Sequence, residues 1–262
     1  MLRVCNMDIE AYLRRDYIKN LVNQGKRLDG RKFDEFRKIE IENNYVGEKA
    51  CGSSLINLGN TMVLVGISLD VGEPYPDSPE SGVMTTSAEL RPLASPYFEA
   101  GPPGEEAIEV ARVVDRGIRE SGAINLEKLF IEENKVWIVF IDIHILDHDG
   151  NLIDASGIAA ISALLNTKIP KYEDGSVIYG EYSGSLPVTE VPIPCTFAKI
   201  NDKMLIDPTL DEEYAMDSRL TITTTDTINA MQKGGVGSLS ESEVYNAVDM
   251  AFEKAKDVRK LL

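Results

Sequence analysis

Arg112, Arg116 and Arg119 stand at i, i+4 and i+7, a spacing that puts three guanidiniums on one face of a helix. Arginine meets phosphate through parallel N–H donors, so such a row could hold successive phosphates of a polynucleotide. The same charges also fit a solvated helix face. Asp115 lies four residues before Arg119 and Glu109 three before Arg112, both placed for ion pairs within the helix. Spacing alone favours the solvated face. A second candidate is the acidic stretch 206–220, with Asp207, Asp211, Glu212, Glu213 and Asp217. Clustered carboxylates could hold Mg²⁺ or act as a general acid, but in a chain this acidic the stretch reads as a solvated loop. Asp147-His148-Asp149 resembles a ligand set, yet it runs directly into Gly150. Asp-Gly after an apolar strand is a hairpin signal, so this is a turn. Gly234, Gly235 and Gly237 do not follow GxGxxG spacing and read as turn and strand-edge glycines. There is no GxSxG elbow, and His144 and His148 share one strand-turn unit, so a nucleophile–base pair has no support.

Periodicity gives the elements that must carry these residues. Over 105–121, Ala107, Val110, Ala111, Val114 and Ile118 form one apolar stripe, predicting a helix with its arginines on the opposite side. Residues 136–146 are almost wholly apolar and predict a buried strand. The turn at Asp149-Gly150-Asn151 then leads to a small-residue helix over 155–166. Upstream, residues 8–24 predict an amphipathic helix with Ile9, Leu13, Leu21 and Val22 inward and Gly25 as its stop. Arg27 to Arg31 is a polar glycine turn, Phe36, Ile39 and Ile41 alternate, and two β-type runs flank Leu58-Gly59-Asn60. A loop rich in Pro, Asp, Ser and Glu covers 72–82. Downstream, a Pro-rich stretch over 186–194 opens strands at 195–200, 203–207 and 220–225. Ser240 and Glu243 form a capping box, and Val244, Ala247, Val248, Ala251, Ala255 and Val258 trace the buried face of a terminal helix. The pattern is α+β, with two halves meeting near 167–180.

The chain has 262 residues, with 27 Lys+Arg against 43 Asp+Glu and a formal net charge of −16. Hydrophobic residues at 43% and charged residues at 27% match a globular protein and exclude a disordered one. No apolar run reaches the ~18–20 residues of a membrane span, and the first residues are too charged for a secretory leader. The expectation is a cytoplasmic protein with no membrane partner. Cys5, Cys51 and Cys195 are scattered, so neither a disulfide framework nor a zinc site is expected. The charge balance argues against an open nucleic-acid surface. RNA binding would need a local basic patch or a partner chain.

RLDGR (27–31), CGSSLINLGNTMVLVGISLDVGEP (51–74), ELRPLASPYFEAGPPGEEAIEVARVVDRGIRESGAI (89–124), DHDGNLIDASGIAAISALLNT (147–167) and LIDPTLDEEYAMDSRLTIT (205–223) together resemble the RNase PH family, in order and over nearly the whole chain. Within it the chain looks closest to the catalytically silent ring subunit of the archaeal RNA exosome. The resemblance implies an RNase PH-like fold of two βαβα-type halves with an N-terminal and a C-terminal helix, divided as residues 1–26, 27–170 and 171–262. It implies a hexameric ring of three heterodimers with an active RNase PH-like subunit, joined by RNA-binding cap proteins and threaded by single-stranded RNA. Inorganic phosphate, with Mg²⁺ as a candidate ion, would serve the partner in phosphorolytic 3′→5′ degradation. The chain itself would hold no cofactor, catalytic residue or metal.

Three departures from the active pattern point to that silence. Active subunits carry an Arg pair before Ala-Ile-Glu, where this chain has Glu105-Glu106 before Ala107-Ile108-Glu109. Active subunits hold phosphate with an Arg-Ser pair, matched here to Glu132-Glu133-Asn134-Lys135-Val136. They also carry two acids six residues apart, which counted from Asp207 become Glu213 and Arg219. A register shifted by two would pair Asp211 with Asp217 and would leave a self-sufficient phosphorolytic exoribonuclease as the alternative. The resemblance also raises the arginine face: Arg112 and Arg116 become the leading RNA contacts, with Arg119 a weaker third.

Overall fold

The computed structural model describes residues 9–262, with side chains from residue 13 onward. After α1 (Ile9–Asn23), the first half runs β1 (Ile39–Asn43), β2 (Gly52–Leu58), β3 (Thr61–Gly72), β4 (Val83–Leu90), α2 (Glu105–Glu120), β5 (Phe130–Glu132), β6 (Lys135–Asp147) and α3 (Leu152–Leu165). The second half runs β7 (Lys168–Glu173), β8 (Ser176–Ser185), β9 (Ile193–Ile200), β10 (Lys203–Ile206), α4 (Leu210–Ala215), β11 (Ser218–Thr224), β12 (Ile228–Gly235) and α5 (Glu241–Arg259). Each half is therefore strands, helix, strands, helix, the βαβα-type order. The first sheet is ordered β1-β2-β3-β6-β4 with β5 beside β6, antiparallel except where β4 meets β6. The second is an antiparallel β10-β9-β11-β12 sheet, and β7–β8 form a separate hairpin. Among the described residues no helix is long and apolar enough to cross a membrane.

The core is built around α3. Its residues 152–164 are all buried, packed on β2, β3 and α2 on one side and on β9 on the other. Only small side chains permit that sandwich: a Cβ on Gly157 would stand 2.5 Å from Cγ of Pro194. One continuous apolar cluster crosses both halves, from Ile56 and Ile141 through Ile158 to Phe197, Ile222 and Ala251.

Several expectations change in detail. The N-terminal helix buries Ile18 and Val22 against Ala198, Ile200, Leu205 and Ala215, whereas Leu13 is 70% exposed. Val22 is inward as expected, Ile18 rather than Leu13 joins it there, and the side chain of Ile9 lies outside the described residues, as does Cys5. Strand β6 is buried on one face only: Val139, Ile141, Ile143 and Ile145 are inside, while Ile138, Phe140 and His144 are half-buried. The Asp149-Gly150-Asn151 turn leads into a helix as expected, and that helix begins at Leu152, three residues earlier than the spacing indicated. Gly150 (φ 85°) and Asn151 (φ 55°) reverse the chain against Leu210, whose backbone N a Cβ on Gly150 would approach to 2.5 Å. The acidic stretch is not a solvated loop, since α4 forms there with a Thr209–Glu212 capping box and Glu212 is buried. The Ser240–Glu243 capping box forms as its spacing predicts.

Candidate functional site

Helix α2 lies along β4 and β12 and walls an open cleft of about 690 Å³. Its Ala107, Val110, Ala111, Val114, Gly117 and Ile118 face inward, which turns Arg112, Arg116 and Arg119 toward the cleft. The three arginines are therefore brought together, but they are not equivalent. Arg119 donates from Nε and Nη2 to Asp115, each at 3.0 Å, and from Nη2 to the Met84 carbonyl, also at 3.0 Å. Arg112 and Arg116 are exposed and make no hydrogen bond or ion pair among the described residues. One of the two intrahelical pairs that spacing suggests has formed, and the other has not.

Glu109 explains the difference. It pairs across the elements with Arg219 of β11, Nη2 to Oε1 at 2.5 Å, and leaves Arg112 alone. This pair borders a second, smaller cavity of about 30 Å³ lined by Glu106, Asn151, Leu152, Ile153, Thr196, Glu213 and Arg219. Glu213 accepts from the backbone N of Asn151 at 2.9 Å, and desolvation pushes its carboxyl up to about 7. Desolvation, with the neighbouring Glu109 charge, also raises the Glu106 carboxyl against the opposing pull of Arg219. The lining thus sets three carboxyl groups around Arg219, its one cation among the described residues.

The alternative acids are elsewhere. Asp217 accepts from Lys19 Nζ at 3.0 Å and from the backbone N of Asn201 at 2.8 Å, and Asp211 lies 3.7 Å from Arg14. Both are turned toward α1, and neither lines the cavity that Glu213 and Arg219 share. The segment 132–136 also falls outside it. Lys135 pairs with Glu132 at 2.6 Å in the β5–β6 turn, at the far end of β6, roughly 40 Å along the strand from Asp147. The chain enters the cavity instead through Asn151, Leu152 and Ile153, which offer neither a cation nor a hydroxyl to phosphate.

What positions α3 and α4 is a buried polar network that the sequence reading passed over as a turn and a loop. Arg27 reaches Glu212 through Nε at 2.8 Å and Nη2 at 2.6 Å, and donates to the carbonyls of Ile206 and Asp207. Arg37 and Arg31 both grip Asp207. Burial would raise the Asp207 carboxyl, but the hydrogen bonds and charge of Arg37 and the charge of Arg31 hold it below the usual range. Asn151 then bridges Asp207 and Asp154, at 2.7 and 2.8 Å, and Asp154 accepts from the N and Oγ1 of Thr196. Desolvation pushes the fully buried Asp154 up to about 7. His148 stacks on Phe98, and desolvation plus the nearby Arg37 lower it to about 4. The signal for this network was present in the two arginines of Arg-Leu-Asp-Gly-Arg, but their acidic partners lie about 180 residues on.

Domain 1 of the 3′ exoribonuclease family, RNase PH, matches residues 35–170, and domain 2 of that family matches residues 190–254. The chain is 57% identical to the Exosome complex component Rrp42 of Thermococcus gammatolerans, over 98% of this chain and 96% of that protein. It is 56% identical to the same-named protein of Pyrococcus horikoshii, over 97% and 95%. Among solved structures, a chain of the Archaeoglobus fulgidus exosome with RNA bound to the active site superposes with a TM-score of 0.90 at 49% identity, covering 97% of this chain and 99% of that one. A chain of an archaeal exosome core superposes at 0.86 with 47% identity, covering 97% of each.

Proposed function

The chain belongs to the RNase PH family of 3′ exoribonucleases, and from that premise we propose that it is a non-catalytic ring subunit of an archaeal exosome. It pairs with an active RNase PH-like subunit, three heterodimers closing a hexameric ring that carries RNA-binding cap proteins in the cytoplasm. Inorganic phosphate, with Mg²⁺ as a candidate ion, acts in the partner's site, where phosphate attacks the terminal 3′ linkage and releases a nucleoside diphosphate. This chain supplies neither the proton donor nor the phosphate contact. It holds the single-stranded RNA on Arg112 and Arg116, with Arg119 as a lesser contact.

One observation carries the reading, the division of charge along α2. At its first turn, Glu106 and Glu109 close a cavity around Glu213 and Arg219. One to two turns later, Arg112 and Arg116 stand free beside the open cleft. The exosome names of the similar proteins support the assembly, and the RNA in one similar structure supports the ligand. Against the self-sufficient alternative, Asp217 pairs with Lys19, Asp211 lies 3.7 Å from Arg14, and neither lines the cavity of Glu213 and Arg219.

The test is Arg112→Glu with Arg116→Glu in the assembled ring. Ring assembly, read by gel filtration, stays intact. RNA affinity falls, and the salt dependence loses about one unit of slope per phosphate contact removed. Unchanged RNA affinity, or loss of the heterodimer, would overturn the role given to these two arginines.

A further inference from the structure

The arginine row accounts for phosphates but leaves the rest of the same cleft without a role. Tyr75 stands on that wall, in the loop that follows β3, and lines the cleft together with Arg112, Arg116 and Arg119. The residue is 54% exposed, and its side chain makes no hydrogen bond or ring contact among the described residues. The core therefore does not use it.

The backbone that carries this ring is restrained. Tyr75 lies between Pro74 and Pro76. A residue that precedes proline is confined to extended conformations, and the preceding proline fixes its own φ. The Tyr75 carbonyl accepts from the backbone N of Ser78 at 3.0 Å, which closes the turn behind it. A backbone restrained in this way loses little freedom when a ligand covers the ring. Its electrostatic neighbour is Arg119, itself anchored to Asp115 and the Met84 carbonyl. The acids on the cleft are largely neutralised, Asp115 by Arg119 and Glu109 by Arg219, with Glu120 remaining at the edge.

We propose that Tyr75 is a base-stacking platform: with successive phosphates on Arg112 and Arg116, a nucleobase lies flat against its ring. This rests on the reading of the arginine row as an RNA contact and adds to it the group that receives a base. A cationic groove beside an unpartnered aromatic ring is the arrangement by which single strands are held without a sequence code, since every base has a π face.

The assembled ring, kept free of inorganic phosphate so that no RNA is degraded, is titrated with a fluorescently labelled single-stranded RNA. Tyr75→Ala weakens binding on the order of tenfold to a hundredfold, and leaves the salt slope unchanged because no ion pair is lost. Tyr75→Phe binds like the parent, since the ring and not the hydroxyl is used. An abasic nucleotide at one position reproduces the loss in the parent ring and adds nothing to it in Tyr75→Ala. If Tyr75→Ala binds like the parent while Arg112→Glu with Arg116→Glu weakens binding, stacking is wrong and the arginine reading stands. If neither weakens binding, both fail. Tyr75→Phe as weak as Tyr75→Ala would assign the effect to the hydroxyl and overturn stacking.

Discussion

Glu109 has two cations within reach, Arg112 one turn along its own helix and Arg219 across the cavity, and it takes Arg219. The choice follows from environment. Arg219 is mostly buried, with its side chain 15% exposed, so leaving it unpaired is far more unfavourable than leaving Arg112 in water. The consequence is a free Arg112, which is what an RNA contact requires. The same reasoning separates Asp217 from chemistry. Asp217→Asn removes the Lys19 ion pair, a partly exposed contact worth about 1 kcal/mol or less. Asp217→Asn should therefore leave the phosphorolysis rate of the assembled ring unchanged, measured by nucleoside diphosphate release. A loss as deep as that from removing a catalytic acid would restore the register that pairs Asp211 with Asp217. At this scale the arginine row, its Asp115–Arg119 pair and the reversed charge at Glu105-Glu106 were all legible in the sequence. The Glu109–Arg219 pair was not, because its partners are 110 residues apart and no local spacing encodes them.

Among the elements, long periodic stretches were read correctly, whereas β7, β8 and α4 were not. Helices α2 and α5 carry unbroken apolar stripes, and β2–β3 flank a glycine turn, so each was visible. The β7–β8 hairpin was missed because β8 is mostly exposed and shows no buried alternation. Helix α4 was missed because it is six residues long and reads as a run of acids. Its placement depends on Arg27, whose side chain is fully buried against Glu212. Truncating one member of a buried ion pair strands the other charge, which typically destabilises by about 3–5 kcal/mol. Arg27→Ala should therefore lower the thermal midpoint of the chain measurably, and Arg27→Lys should recover only part of the loss, because one ammonium cannot reproduce the guanidinium's fork to both Glu212 oxygens. Calorimetry on the two variants checks both statements. An unchanged midpoint for Arg27→Ala would mean that α4 is held by its apolar contacts alone.

For the whole molecule, the network between the halves ties stability to pH. Asp154 and Glu213, both pushed up to about 7 by desolvation, bind their protons more tightly folded than unfolded. Their contribution is full below the unfolded values of 3.8 and 4.5 and is lost as pH rises through about 7. Asp207 has the opposite sign, since its lowered carboxyl stabilises the fold above 3.8 and is lost as pH falls through its lowered value. The thermal midpoint should accordingly decline as pH rises from about 4 to 7, and Asp154→Asn should flatten that decline. The variant keeps the contacts, because Thr196 Oγ1 can accept from the new amide while bonding to Thr221. A pH profile of Asp154→Asn parallel to the parent's would remove Asp154 from this explanation. Net charge belongs to this scale as well. A balance of −16 disfavours RNA on the outer surface, and basic groups converging on one cleft give the strand a single place to lie.

The most direct test of the central claim, a silent subunit that completes its partner's work, is phosphate-dependent release of nucleoside diphosphates from a short single-stranded RNA. It compares this chain alone, the active-type partner alone and the two mixed. Release is expected from the mixture only, with nothing from this chain at any phosphate or Mg²⁺ concentration. Robust release by this chain alone would contradict it and would restore the self-sufficient reading that rests on Asp211 and Asp217.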